Sequence, residues 1–205
     1  MGASDLLAKA PTGVPRFEEQ DMRKIVYWVH TSLDGHISGP NGEFDWPAFG
    51  PELASYSHEE NDRVDTFLYG RVVWEMMSSY WPTADQDTTE EHALTFAPIW
   101  RATPKVVISR TLEKADWNTR VISGDLEAEV RKLKSAPGKD IQLTGGSGLA
   151  KSLADLDLID EYQVVVHPVV LGGGPQLFPR SDRFSLRLVE TRTFDGATVL
   201  LRYTR

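Results

Sequence analysis

Ile25-Val26-Tyr27-Trp28-Val29 is an unbroken apolar run, β-branched and aromatic, closed by His30. A strand with no polar alternation is buried on both faces, so it belongs inside a sheet covered on both sides. The rest of the chain supplies the layers. Glu52 to Asp65 reads as a helix with Leu53 and Tyr56 turned inward. Thr66 to Tyr69 is a second strand, and Gly70-Arg71 opens a helix carrying Val72, Val73, Trp74, Met76 and Met77. A polar loop over 80–91 leads to a short helix over 92–102. Lys105 to Ser109 and Arg120 to Ile122 are further strands. Leu126, Val130 and Leu133 mark a helix that Pro137-Gly138 stops.

Ile141-Gln142-Leu143-Thr144 is the fifth strand, and Leu149, Leu153 and Leu156 recur at helical spacing after Gly145-Gly146-Ser147. Beyond residue 160 the pattern changes. Tyr162 to Val170 is a long β-branched run broken by Pro168, and Phe184, Leu186 and Leu188 alternate with Ser185 and Arg187. Asp195-Gly196 is a hairpin turn before a closing strand over Ala197 to Tyr203. The expectation is an α/β fold: one mixed, mostly parallel sheet of about eight strands, flanked by helices, with an antiparallel C-terminal end. Residues 1–21, punctuated by Pro11, Gly13 and Pro15, read as a flexible tail, leaving 22–205 as one domain.

Composition narrows the function. A net charge of −8 over 205 residues disfavours a broad nucleic-acid surface. The chain has no cysteine, which excludes disulfides and thiol catalysis and is compatible with a cytoplasmic setting. No apolar run approaches the roughly 20 residues of a membrane span. The five histidines show no metal-ligand spacing, so no metal is expected.

The chemistry concentrates at three strand ends of similar character: Gly70-Arg71, Ser109-Arg110-Thr111 and Thr144-Gly145-Gly146-Ser147. In an open α/β sheet, ligands bind at the carboxyl ends of parallel strands. Glycines there let the backbone approach a ligand, and a helix start offers unpaired amides to a phosphate. Each feature has a plain alternative: Gly145-Gly146 as a tight connection, Arg71 and Arg110 as solvated surface residues. Lys151 stands where the dinucleotide fingerprint has its third glycine, so any phosphate loop here lies outside the Rossmann pattern. Asp34 is either a proton relay or substrate contact, or the first residue of an Asp-Gly turn.

In this order and spacing the motifs resemble the dihydrofolate reductase-like family, and within it the RibD C-terminal reductase domain of riboflavin biosynthesis. They are Ser32-Leu33-Asp34-Gly35, Asp45-Trp46, Leu68 to Glu75, Val107 to Leu112, Leu143 to Ser147, and Pro168 to Gly174. The resemblance runs over residues 23 to 205 and implies a three-layer α/β/α fold that binds NADPH. By position it implies Gly70 and Arg71 near the adenosine 2′-phosphate, with Ser109 and Arg110 flanking the same ribose phosphate. Thr144, Gly145, Gly146, Ser147 and Leu149 would form the pyrophosphate loop, and Asp34 and Trp46 would border nicotinamide and substrate. Glu52 is nearest to where folate reductases carry an acid in the first helix, although Ala54 and Ser55 fit the spacing as well. The activity implied is hydride transfer to a small heterocycle, a pyrimidine or pterin, including 5-amino-6-(5-phosphoribosylamino)uracil reduction, in a homodimer. A non-catalytic NADP-binding module, a dihydrofolate reductase proper and a ligand-free dimerisation scaffold stand as alternatives.

Overall fold

A computed structural model of the chain describes residues 22–179 and 182–205; the expected tail lies outside them. In chain order the elements are β1 (Ile25–Ser32), α1 (Pro51–Asn61), β2 (Val64–Gly70), α2 (Arg71–Tyr80), α3 (Glu91–Ala102), β3 (Lys105–Ile108), β4 (Thr119–Ile122), α4 (Leu126–Ser135), β5 (Asp140–Thr144), α5 (Ser147–Asp155), β6 (Glu161–His167), β7 (Arg187–Phe194) and β8 (Thr198–Thr204). The eight strands form one sheet in the order β4-β3-β2-β5-β1-β6-β8-β7. β1 to β6 run parallel to their neighbours, and the β7–β8 hairpin closes the sheet antiparallel to β6. All eight residues of β1 are buried, as its composition demands of a strand with two covered faces.

Alternation along the strands sorts the core into layers. Tyr27, Leu68, Val106, Ile141 and Leu143 pack with Val130 and Leu133 of α4 and Ala150 and Leu153 of α5. The residues between them face the other way. Trp28 joins Leu53 and Tyr56 of α1, and Phe67, Tyr69 and Val107 join Val73 and Met77 of α2 and Trp100 of α3. The result is three layers, with α1, α2 and α3 on one face and α4 and α5 on the other. No helix among the described residues is long and apolar enough to cross a membrane.

Three sequence boundaries shift. The helix expected over Glu52 to Asp65 ends at Asn61, because Val64 and Asp65 are drawn into β2; there the Asp65 carboxylate pairs with Arg23 and accepts the Lys139 amide. The run from Tyr162 stops at His167, since Pro168 has no N–H for the ladder. The alternation at Phe184 and Leu186 is not a strand: both pack on the core from irregular chain, and pairing with β8 begins at Arg187.

Candidate functional site

β3, β2, β5 and β1 are consecutive neighbours with one direction, so their carboxyl ends form one rim. That rim holds Ser109 and Arg110 after β3, Gly70 and Arg71 after β2, and the Thr144–Leu149 loop after β5. The loops are in contact. A Cβ on Gly70 would lie 3.5 Å from the Leu149 Cβ, and one on Gly146 would lie 2.8 Å from Val73 Cγ2 of α2. Gly145 and Gly146 take φ of +51° and +68°, a region that costs other residues about 1–2 kcal/mol each. The Gly145 amide donates to Trp28 O at 3.0 Å, which ties the loop to the central strand.

The helices that start at this rim differ from the rest. α2 and α5 begin at Gly70 and Gly146, with no side-chain cap and no acid in the first turn. Elsewhere at least one is present: Asp125 caps α4 by accepting the Ala128 amide at 2.8 Å, and α3, which has no side-chain cap, carries Glu91 in its first turn. An N-cap is worth about 1 kcal/mol, and helix starts leave amides unpaired when it is missing. Two open, positive helix ends therefore converge on a glycine cradle, with Ser147 as the first residue of α5.

The arginines stand differently. Arg71 is half-exposed, and its Nη1 lies 2.9 Å from both carboxylate oxygens of Glu75 one turn on. Arg110 is exposed at the turn after β3, without an acidic partner among the described residues. Ser109 is buried, and its Oγ accepts the amides of Thr111 (3.2 Å) and Leu112 (2.9 Å). Its hydroxyl thus shapes the turn that holds Arg110 outward.

Two expected residues accept backbone amides. The Asp34 carboxylate accepts the Ser32 hydroxyl at 2.6 Å and the Leu171 and Gly172 amides at 3.1 and 2.8 Å. The Ser32 bond, then the backbone amides, hold its carboxyl far below the ordinary value of 3.8. A carboxylate that stays ionised and bonded to amides clamps the loop after β1 to the loop after β6, and is a poor proton donor at neutral pH. Gly174 meets the same loop so closely that a Cβ would lie 2.2 Å from Ser38 O, so the Gly172-Gly173-Gly174 run is a crossing. Glu52 is engaged by the β7–β8 turn. Its carboxylate accepts the Asp195 amide, while Asp195 Oδ1 and Oδ2 accept the Glu52 and Leu53 amides at 3.1 and 3.3 Å. The pair caps α1 from the β7–β8 turn, and the Glu52 carboxylate expected at the substrate is engaged with backbone.

Trp46 lies at the carboxyl end of β6, together with residues that motif reading passed over. Its ring stands edge-on to His167 of β6, centroids 5.5 Å apart. His167 Nε2 lies 2.8 Å from Nδ1 of His30 in β1, and Phe49 covers His30 at 4.9 Å. His92 of α3 stacks on Phe49 at 4.1 Å. The available signal was a histidine late in each of two buried runs, His30 after Val29 and His167 before Pro168; their adjacency required the strand order. Among the described residues no cluster of His, Asp or Glu is arranged to hold a metal. A cleft of about 480 Å³ lies at the opposite, amino-end rim among Thr66, Lys105, Trp117 and Arg120. The Lys105 ammonium there is engaged by Thr103 O, Trp117 O and the Trp100 ring.

The comparisons with known proteins give the family and the fold. The family model for the RibD C-terminal domain matches residues 23–200. The Bacillus subtilis proteins YyaP and YwjB are 36% and 30% identical over 185 residues, spanning 88% and 89% of this chain and 94% and 98% of theirs. A Shewanella sp. PV-4 protein, provisionally assigned to riboflavin biosynthesis, superposes with a TM-score of 0.71 at 24% identity, covering 90% of this chain and 99% of that one. Enterococcus faecalis dihydrofolate reductase complexed with NADP(H) gives 0.60 at 14% identity, over 89% and 96%. The Thermotoga maritima diaminohydroxyphosphoribosylaminopyrimidine deaminase/5-amino-6-(5-phosphoribosylamino)uracil reductase gives 0.64 at 16% identity, over 89% of this chain and 56% of that one. The fold is dihydrofolate reductase-like.

Proposed function

This chain belongs to the RibD C-terminal domain family, and from that premise we propose that it is an NADPH-dependent reductase of a small heterocycle, a pyrimidine or pterin. The observation that carries the reading is the meeting of two uncapped helix starts at the Gly145-Gly146 cradle, with Arg71 beside it and Arg110 one strand further along the rim. The residues fit a dinucleotide. The first-turn amides of α5 suit a pyrophosphate, and Arg71, at the start of α2, suits the extra phosphate that separates NADPH from NADH. When bound, the cofactor supplies a hydride. The protein's part is to orient the substrate, which Trp46 and Phe49 would do as aromatic walls, and to provide a proton.

Calorimetric titration with NADPH and NADH tests the reading. Arg71→Ala should weaken NADPH by about ten- to hundredfold, the loss of one charge-assisted contact, and leave NADH nearly unchanged. Absence of heat with either nucleotide in the folded wild type would reject it. One observation favours a second reading, a non-catalytic NADP-binding module: the two carboxylates expected at the substrate side, Asp34 and Glu52, are committed to backbone amides. Loss of reduced-nicotinamide absorbance over a panel of pyrimidines and pterins, 5-amino-6-(5-phosphoribosylamino)uracil analogues included, separates the two.

A further inference from the structure

With its expected acids engaged, the site needs another source of the proton that accompanies hydride addition. His30 and His167 are 8% and 1% exposed, with a single hydrogen-bond distance of 2.8 Å between Nδ1 of the first and Nε2 of the second. A neutral imidazole carries one N–H, so the two tautomers are coupled. If His30 donates from Nδ1, then His167 presents an N–H at its own Nδ1 and His30 Nε2 is bare. If His167 donates from Nε2, its Nδ1 is bare and His30 presents the N–H at Nε2. Moving the inner hydrogen, as a proton leaves one outer nitrogen and another reaches the opposite one, therefore exchanges donor and acceptor at the two outer ends.

Three features place this pair beside the reaction and leave it incomplete. Strand order sets β1 between β6 and β5, and Trp28, two residues before His30, receives the Gly145 amide of the cofactor loop. His167 Nδ1 is buried without a hydrogen-bond partner. So is Nε1 of Trp46, whose ring stands against His167. Unpaired buried polar atoms cost about 1–3 kcal/mol each, a cost that a ligand with matching groups removes. Burial, then His167 and His92, lower the His30 pKa well below its ordinary value, and burial lowers that of His167 to about 4. No carboxylate contributes to either shift; the other titratable groups of the cluster are His92 of α3 and, behind it, His58 of α1. Both rings are neutral at pH 7, so one N–H is available at either outer end without a charged intermediate.

We propose that His30 and His167 together form the proton relay of the reduction, an inference that rests on reading the adjoining rim as the nicotinamide site. Hydride addition to a polarised C=N or C=C bond sends the π electrons to a heteroatom, which takes one proton. That proton leaves an outer ring nitrogen as the inner hydrogen crosses the His30–His167 bond. The opposite outer nitrogen takes one from water. Both rings end neutral in the reversed tautomers, with one solvent proton consumed per substrate reduced. The ends reset by exchange with water.

The test is nitrogen NMR of the full chain with labelled histidine. A relay needs both tautomeric pairs to be populated, so all four ring nitrogens should resonate between the protonated and bare limits. Replacing bound NADPH by NADP+, which sets a cationic ring beside the pair, should move the His30 and His167 balance in the same tautomeric direction. His167→Gln keeps a hydrogen-bonding group opposite His30 Nδ1 but cannot hand a proton on, so His30 should settle in one tautomer and lose that response. One fixed tautomer per ring in the wild type, or identical histidine spectra in the two cofactor complexes, overturns the relay. Amide shifts at Gly145 to Leu149 report cofactor binding independently; their absence would reject the cofactor reading, whatever the histidines do.

Discussion

Gly146→Ala examines the cradle most directly. Gly146 has φ +68° and ψ 90°, and an L-residue held there costs about 1–3 kcal/mol. The new Cβ would stand 2.8 Å from Val73 Cγ2, about an ångström inside normal carbon contact, and such overpacking costs about 1–3 kcal/mol more. The substitution should therefore lose about 2–6 kcal/mol in denaturant unfolding and weaken NADPH as the loop moves off the α5 start. Val73→Ala removes the obstructing methyl at the price of its own buried contacts. In that background only the backbone strain should remain, so the double variant should be about 1–3 kcal/mol better than the sum of the singles, with part of the NADPH affinity restored. Additivity within about 0.5 kcal/mol would show that Val73 does not press on the loop, and the convergence of α2 and α5 would lose its support.

Other consequences are separately measurable. Glu75→Gln frees Arg71 from its partner and should tighten NADPH by about two- to fivefold in low salt, the worth of a surface pair, while NADH titrations stay level. Asp195→Ala uncaps α1 and should cost about 1 kcal/mol, seen as a melting temperature lower by about 2–4 °C for a chain of this size. His92, stacked between Phe49 and Phe96, has its pKa lowered to about 4, by burial and then by the His58 charge. The unfolded chain binds its proton below about 6.5 and the folded chain only near 4, so wild-type stability should fall as pH drops through that window. His92→Phe should remove up to about 1.4 kcal/mol per pH unit of that slope; an unchanged acid-unfolding profile would count against the assignment.

The sheet was legible because its causes are local. The unbroken Ile25–Val29 run demanded a doubly covered strand, and each glycine junction announced a strand passing into a helix. Convergence of Gly70, Arg110 and Gly146 followed once parallel strands were assumed. What escaped reading depends on partners far along the chain. Nothing near Glu52 indicates that its carboxylate turns toward Asp195, 143 residues away, and an acid in a first helical turn looks the same whether it faces substrate or a hairpin. Asp34 shows the same limit, since its role is set by amides of Leu171 and Gly172. His30 and His167 meet only because β6 enters the sheet beside β1.

The cap on α1 has a temporal consequence. α1 takes its lid from a hairpin turn 143 residues further along the chain, and a Cβ on Gly50, at the seat of that lid, would lie 2.2 Å from the Asp195 carboxyl carbon. Such long-range closure makes for slow folding, since the entropy of closing the loop is lost before the contact is gained.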